Sequence, residues 1–180
     1  MKEYRATQNI ACIAILIQAV TGMRVGELGA LSWNDIVSDK IHIHRELVLD
    51  QSSQTHKIEE HTKGYTNRFI PLHPKVKDYI RMIKARPIVW SDLVLRQDDG
   101  SYVTTCDINN VLKKYAIHTN HKIKYSHCLR RTYATLLYLA GVDKETIQEY
   151  LGHADLKTTE GYICAKRDAS SSIEILSRAL

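Results

Sequence analysis

Four segments concentrate the residues able to do chemistry: Thr21-Gly22-Met23-Arg24-Val25-Gly26-Glu27-Leu28, Thr62-Lys63-Gly64, His127-Cys128-Leu129-Arg130, and Leu151-Gly152-His153 followed by Tyr162. A helix that starts at His127 offers unpaired backbone N–H groups and the positive end of its dipole, and His127 and Arg130 beside them complete a seat for a phosphate. The same two residues also read as a solvated basic face. Arg24 follows a glycine turn and precedes Glu27 by three residues, a spacing that suits a helical ion pair. A carboxylate so placed can also hold a guanidinium ready for a phosphate. Taken singly, Lys63 beside Gly64 is a turn lysine with Lys57 as a competitor, His153 after Gly152 is a helix cap, and Tyr162 is one of ten tyrosines suited to amphipathic packing.

The elements that must position these groups are mostly helical. Residues Ala6 to Val20 are apolar nearly all round, as in a helix enclosed by others, and Thr21-Gly22 supplies a turn before a short helix from Val25 to Leu31. Between Asp35 and Leu49, Ile41 and Ile43 alternate with His42 and His44, which predicts a strand pair turned at Ser38-Asp39-Lys40. Gln51 to Thr62 reads as a loop, and Tyr65 to Leu72 as a strand ended by Pro71 and Pro74. Helices are expected at Pro74–Ala85, Cys106–His118, His127–Ala140, Lys144–Leu151 and Leu156–Tyr162. On the helix from His127, a step of about 100° per residue places Leu129, Tyr133, Leu136, Leu137 and Ala140 on a core face and turns His127, Arg130 and Arg131 away from it. Truncating Arg130 should then leave the fold intact. The fold class expected is mainly α with one small antiparallel sheet.

Composition narrows the partners. The 180 residues are 44% hydrophobic, enough for one core, and carry 25 Lys and Arg against 20 Asp and Glu, a net charge of +5 that permits a polyanion. Eight Gly and three Pro exclude a collagen-like or linker-like chain. Four scattered cysteines, Cys12, Cys106, Cys128 and Cys164, fit free thiols in a reducing cytosol better than a disulfide scaffold. The apolar run Ile10–Ile17 is too short to cross a bilayer and lacks a cleavage pattern, so it reads as a buried helix, with no membrane partner. His42 with His44, and His118 with His121, lack a cysteine or carboxylate at zinc spacing, and no Gly-rich nucleotide loop, nucleophile elbow or carboxylate cluster appears. No metal and no cofactor are expected.

Taken in order, the segments resemble the catalytic domain of the tyrosine recombinases, the phage-integrase family: TGMRVGELGALSWNDI, TKGYTNRFIPL, SHCLRRTYATLLYLAG and YLGHADLKTTEGY each match a family box in content and succession. The resemblance spans nearly the whole chain. It implies that Arg24 and Arg130 grip a scissile phosphate, Lys63 and His127 manage protons, His153 assists, Tyr162 attacks, and Glu27 supports Arg24. Planar guanidiniums suit the spread charge of a phosphoryl transition state. A phenol of ordinary pKa, about 10, needs a base and nearby cations to become a nucleophile. The implied product is a 3′-phosphotyrosyl link to double-stranded DNA, reversed by a second DNA end without ATP.

The resemblance further implies a catalytic domain over 1–167 and a tail over 168–180 whose Ile173, Leu176 and Leu180, at i, i+3 and i+7, pack on their own domain or on a neighbour in a DNA-bound, tetrameric assembly in the cytoplasm. The core-binding domain that relatives carry upstream is expected to be absent. Lys77, Arg81 and Lys84, with Lys113, Lys114, Lys122, Lys124 and Arg131, are candidate contacts to backbone phosphates. Two features depart from the family pattern: Arg131 stands where many relatives carry histidine, and Gly161, where a bulkier residue is usual, loosens the segment before Tyr162. A DNA-binding module of the same fold, a type IB topoisomerase, and an unrelated helical scaffold are the alternatives.

Overall fold

A computed structural model describes residues 9–62, 67–86, 91–119 and 125–163. The first helix, α1 (Ile10–Thr21), is capped by the Asn9 side chain, which accepts from the Ala11 N–H at 2.9 Å. Its apolar circumference is explained by its place: helices from three directions pack on it, and Ile10, Ile13, Ala14 and Ile17 are fully buried. Gly22 ends α1 in the left-handed region at φ 67° and returns its N–H to the Gln18 carbonyl at 2.9 Å. The short helix α2 (Val25–Ala30) follows, and the Glu27 carboxylate caps its start by accepting from the Arg24 backbone N–H at 2.8 Å.

A 3-10 turn, Trp33–Asp35, leads into β1 (Ile36–Val37) and β2 (Lys40–Ile43), paired antiparallel through a turn in which Ser38 has φ 55°. β2 continues against β5 (Arg68–Pro71), with Ile41 opposite Ile70, His42 opposite Phe69 and Ile43 opposite Arg68. β3 (Glu46–Asp50) and β4 (Thr55–Glu59) form a separate two-stranded ribbon beside α2. Five helices complete the described residues: α3 (Pro74–Lys84), α4 (Thr105–Thr119), α5 (His127–Leu139), α6 (Lys144–Leu151) and α7 (Leu156–Tyr162). The helix that follows Asp143 and the one that follows Asp155 each start where an aspartate side chain accepts from the third N–H onward.

The mainly α architecture and the helix positions agree with the sequence reading, and three expectations need correction. Among the described residues there are two small antiparallel sheets, not one. The stretch read as loop contains β4, whose residues Thr-His-Lys-Ile-Glu show no apolar alternation because the ribbon is exposed over much of its length; Lys57 is held instead by Asp50 at 3.3 Å across the strands. The face assigned to α5 holds for Leu129, Tyr133 and Leu137 and for exposed His127 and Arg131, but not for Leu136, Ala140 and Arg130. Leu136 is 57% exposed, whereas Arg130 is 1% exposed and Ala134 fully buried. Ala134 lets α5 approach its neighbours closely, and Arg130 is drawn inward by carbonyl partners described below.

The larger core gathers α1, α2, the β2–β5 sheet, α3 and α4, through residues such as Met23, Leu28, Ile41, Ile70, Val76 and Ile108. A smaller cluster joins Ala134 of α5 to Ile147 and Leu151 of α6, with Tyr133, Leu137 and Tyr162 against it. Among the described residues no helix is long and apolar enough to cross a membrane.

Gly22 is required twice, by its positive φ and because a Cβ there would lie 2.3 Å from a ring carbon of Tyr133. Gly22→Ala should therefore cost at least about 1 kcal/mol in urea unfolding, and Gly22→Ala combined with Tyr133→Leu should cost less than the sum of the two single changes.

Candidate active site

Glu27 is the centre from which the site is built. It is 1% exposed, yet ionised, because four hydrogen bonds converge on it. Arg24 Nη1 donates to Oε1 at 2.8 Å, and the Arg24 backbone N–H donates to Oε2 at 2.8 Å. From β5, Arg68 donates through Nη1 to Oε1 at 2.9 Å and through Nη2 to Oε2 at 2.8 Å, a two-pronged pair. Burial by itself raises the Glu27 pKa, but the Arg68 hydrogen bonds and the charges of Arg68, Arg24 and Arg130 overcome it and hold the carboxyl at about 2. The expected pairing of Arg24 with Glu27 is present.

The C-terminus of α6 is tied to the same cluster. Gly152 takes the left-handed conformation at φ 64° and caps α6, as its position before His153 suggested. Its carbonyl accepts from Arg24 Nη2 at 3.0 Å, and Arg68 Nε donates to the Tyr150 carbonyl at 2.8 Å. A Cβ on Gly152 would lie 2.8 Å from Arg68 Nη1, so the missing side chain is what allows that guanidinium to lie there. Arg130 joins both halves: Nη1 donates to the Gly22 carbonyl at 2.7 Å and Nη2 to the Leu151 carbonyl. Its Nε has no partner among the described residues.

Tyr162 ends α7 and meets this cluster through its ring and its hydroxyl. The hydroxyl hydrogen-bonds His127 Nε2. The His127 ring lies edge-on at 5.0 Å, the His153 ring at 4.5 Å, and the Arg130 guanidinium carbon 6.0 Å from the tyrosine ring centre. Two contacts from α5 hold the end of α7: Arg131 Nη2 donates to the Gly161 carbonyl at 3.3 Å, and the Thr135 hydroxyl to the Tyr162 carbonyl at 3.4 Å. His153 is oriented by Thr159, whose hydroxyl is 2.9 Å from Nδ1, and its buried Nε2 has no partner among the described residues.

Burial first, then the charges of Arg130 and Arg24, push His153 down to about 4. Burial, then Arg130, Arg131 and Arg24, lower His127 from the ordinary imidazole value. Both rings are therefore uncharged at neutral pH, His127 able to accept a proton and His153 able to donate its ring N–H. Arg130 is lowered to about 10 by burial and by Arg24, and stays protonated. Two arginines on one side, a basic imidazole on a phenol, and a second imidazole with a free buried nitrogen can together bind a tetrahedral anion and deprotonate an attacking hydroxyl.

The structure thus brings together Arg24, Glu27, His127, Arg130, His153 and Tyr162. Lys63, Lys122, Lys124, Ile173, Leu176 and Leu180 lie outside the described residues. The stripe Lys77, Arg81 and Lys84 is exposed, but Arg81 pairs with Asp78 at 2.6 Å and Lys84 sits 5.1 Å from the Trp33 ring centre, so neither joins the cluster; Lys113 and Lys114 are exposed on α4. Sequence reasoning missed Arg68 and Thr159. The signal for Arg68 was strand parity, since it shares with Ile70 the buried side of β5 while Phe69 and Pro71 point out. The statement that no carboxylate completes the His42 and His44 pair also needs correction: the β1–β2 hairpin returns Asp35 to His44, 3.0 Å from Nε2.

The sequence profile of the phage integrase family matches residues 3–168. The chain belongs to that family. It is 31% identical over 167 residues to tyrosine recombinase XerC of Pediococcus pentosaceus, covering 86% of this chain and 49% of XerC. It is 30% identical over 179 residues to the integrase of a Staphylococcus phage, covering 87% of this chain and 48% of that integrase. The chain thus spans about half the length of these relatives. The fold is that of the Tn1549 transposon integrase in complex with transposon right end DNA, with a TM-score of 0.75 and 22% identity over 99% of this chain and 60% of that one.

Two outcomes follow from the buried charges. His153 binds a proton less readily folded, at about 4, than at the ordinary 6.5, so folding stability should be flat above pH 6.5 and fall as pH drops from 6.5 to 4. In His153→Gln, urea titrations should show that part of the fall removed, on the order of 1–2 kcal/mol at pH 4. Arg130→Ala strands the carbonyls of Gly22 and Leu151 and should lower stability by about 1–3 kcal/mol at neutral pH; an unchanged urea midpoint would restore the residue to a solvated face.

Proposed function

We propose that this chain is the catalytic domain of a site-specific DNA recombinase or integrase that cleaves and rejoins strands through Tyr162. The observation that carries the proposal is the Tyr162 hydroxyl bonded to His127 Nε2 beside Arg24, Arg130 and His153, where Arg130 Nε and His153 Nε2 are buried and lack protein partners among the described residues. Buried donors without acceptors are costly unless a ligand supplies the acceptor. A phosphodiester supplies one.

In the proposed reaction the phenolic oxygen of Tyr162 attacks phosphorus while its proton passes to His127. Arg24, Arg130 and His153 hold the non-bridging oxygens as charge develops on them. The bond from phosphorus to the 5′ oxygen breaks, and Lys63 protonates that oxygen. A 5′-hydroxyl from the same or another strand then attacks the 3′-phosphotyrosyl ester and gives its proton back to Lys63, His127 returns the other proton to the leaving phenol as the bond from phosphorus to Tyr162 breaks, and the phosphodiester is remade. One ester is exchanged for another, so the cycle is near-balanced in energy and runs without nucleotide hydrolysis. The Lys63 assignment is supported by its place in the box TKGYTNRFIPL.

Residues 1–167 form the catalytic domain in this reading, and Ile173, Leu176 and Leu180 of the tail at 168–180 pack on a neighbouring copy in a DNA-bound tetramer in the cytoplasm. Cleaved and displaced strands, not bound cofactors, are the expected partners.

With a nicked suicide substrate the chain should form a covalent protein–DNA adduct that is lost in Tyr162→Phe. Tight DNA binding by the unaltered chain without any adduct would instead identify a non-catalytic binding module. Lys63→Ala should cut the cleavage rate at least a hundredfold on ordinary DNA and restore most of it on a 5′-bridging phosphorothiolate, whose sulfur leaves without protonation. Equal losses on both substrates would remove Lys63 from the acid role.

A further inference from the structure

Away from the tyrosine cluster, the face of the β1–β2–β5 sheet carries a second group of side chains that the reaction does not use. Asp35, at the end of the 3-10 turn, is nearly buried, with 8% of its side chain exposed. Its Oδ2 accepts from the Ser32 backbone N–H at 2.8 Å and from Arg45 Nη2 at 3.1 Å. Its Oδ1 faces His44 Nε2 at 3.0 Å. His42, two residues back on the same face of β2, stacks on His44 at 4.5 Å and on Phe69 of β5 at 4.6 Å. One ligating atom from each of Asp35, His42 and His44 lies within 4.8 Å of the others.

We propose that Asp35, His42 and His44 form a binding site for a divalent transition ion of the zinc type. Ligands about 2.1 Å from a tetrahedral zinc stand about 3.4 Å apart, so the Oδ1 to Nε2 pair already has close to the required spacing and the third atom is within a small contraction of it. Two imidazoles and one carboxylate are the donor set that suits zinc, nickel or cobalt and disfavours magnesium or calcium. The ion replaces the proton shared between His44 Nε2 and Asp35 Oδ1. Ser32 and Arg45 fix Oδ2 and leave Oδ1 as the ligand, the kind of outer support that aims a coordinating carboxylate. The His42 and His44 rings lie within 19° of parallel, so both must turn about their side-chain bonds until their lone pairs converge. Arg45 places a cation near the ion, which limits its affinity.

Calorimetric titration of the intact chain with zinc(II) in a non-chelating buffer, without DNA, tests the site. One equivalent should bind, and magnesium(II) should not. His42→Phe keeps the ring stack on Phe69 but removes a lone pair, and should weaken zinc binding at least tenfold, with circular dichroism unchanged. His44→Gln keeps a donor to Asp35 and should weaken it similarly. The absence of zinc binding in the unaltered chain, or equal affinity in His42→Phe, would overturn the proposal. Because neither DNA nor cleavage enters the measurement, the result is independent of the reaction assigned to Tyr162.

Discussion

A single buried carboxylate organises this molecule. Glu27 lies in the interior between Arg24 and Arg68, and each guanidinium also bonds to a carbonyl at the end of α6. A charge in such a place is tolerable only when its partners are fixed and complete. Three cations, Arg24, Arg68 and Arg130, surround one anion, so the cluster carries an excess positive charge that an incoming anion relieves. Burial first, and then the same excess, lowers His127 and His153 and keeps them unprotonated at neutral pH. Attraction for an anion, proton inventory and the docking of α6 are thus one electrostatic arrangement seen from three sides.

Much of this was legible from residue order. The helices were marked by apolar spacing, and the glycines at 22 and 152 marked the two turns on which the site is built. The pairing of Arg24 with Glu27 follows from their separation along one helix start. What could not be read was whatever depended on distant segments meeting. Arg68 pairs with a residue 41 positions earlier, and nothing local to β5 announces a partner, only the parity that places it inward. β4 escaped notice because its strand is stabilised by cross-strand polar contacts, which leave no apolar rhythm.

Arg130 shows why a helical wheel alone misleads. The wheel treats an arginine as a solvent-facing residue, and the cost of burying a bare guanidinium supports that default. Here two main-chain carbonyls released by helix ends, those of Gly22 and Leu151, provide acceptors in the interior. Helix termini always carry such unsatisfied groups, so an arginine near two converging ends can be a core residue. Asp35 makes the complementary point, since a short hairpin turned an unremarkable sequence gap into contact with His44.

The double duty of Arg130 also bears on how ancestry is read from chains of this kind. An arginine that stitches together two helix ends is useful whether or not the site around it does chemistry, so its presence testifies mainly to architecture. Nε2 of His153, which has no partner among the described residues, has no such second employment. Drift at that position, more than at the arginine, is where a lineage would first record that its chemistry had been abandoned.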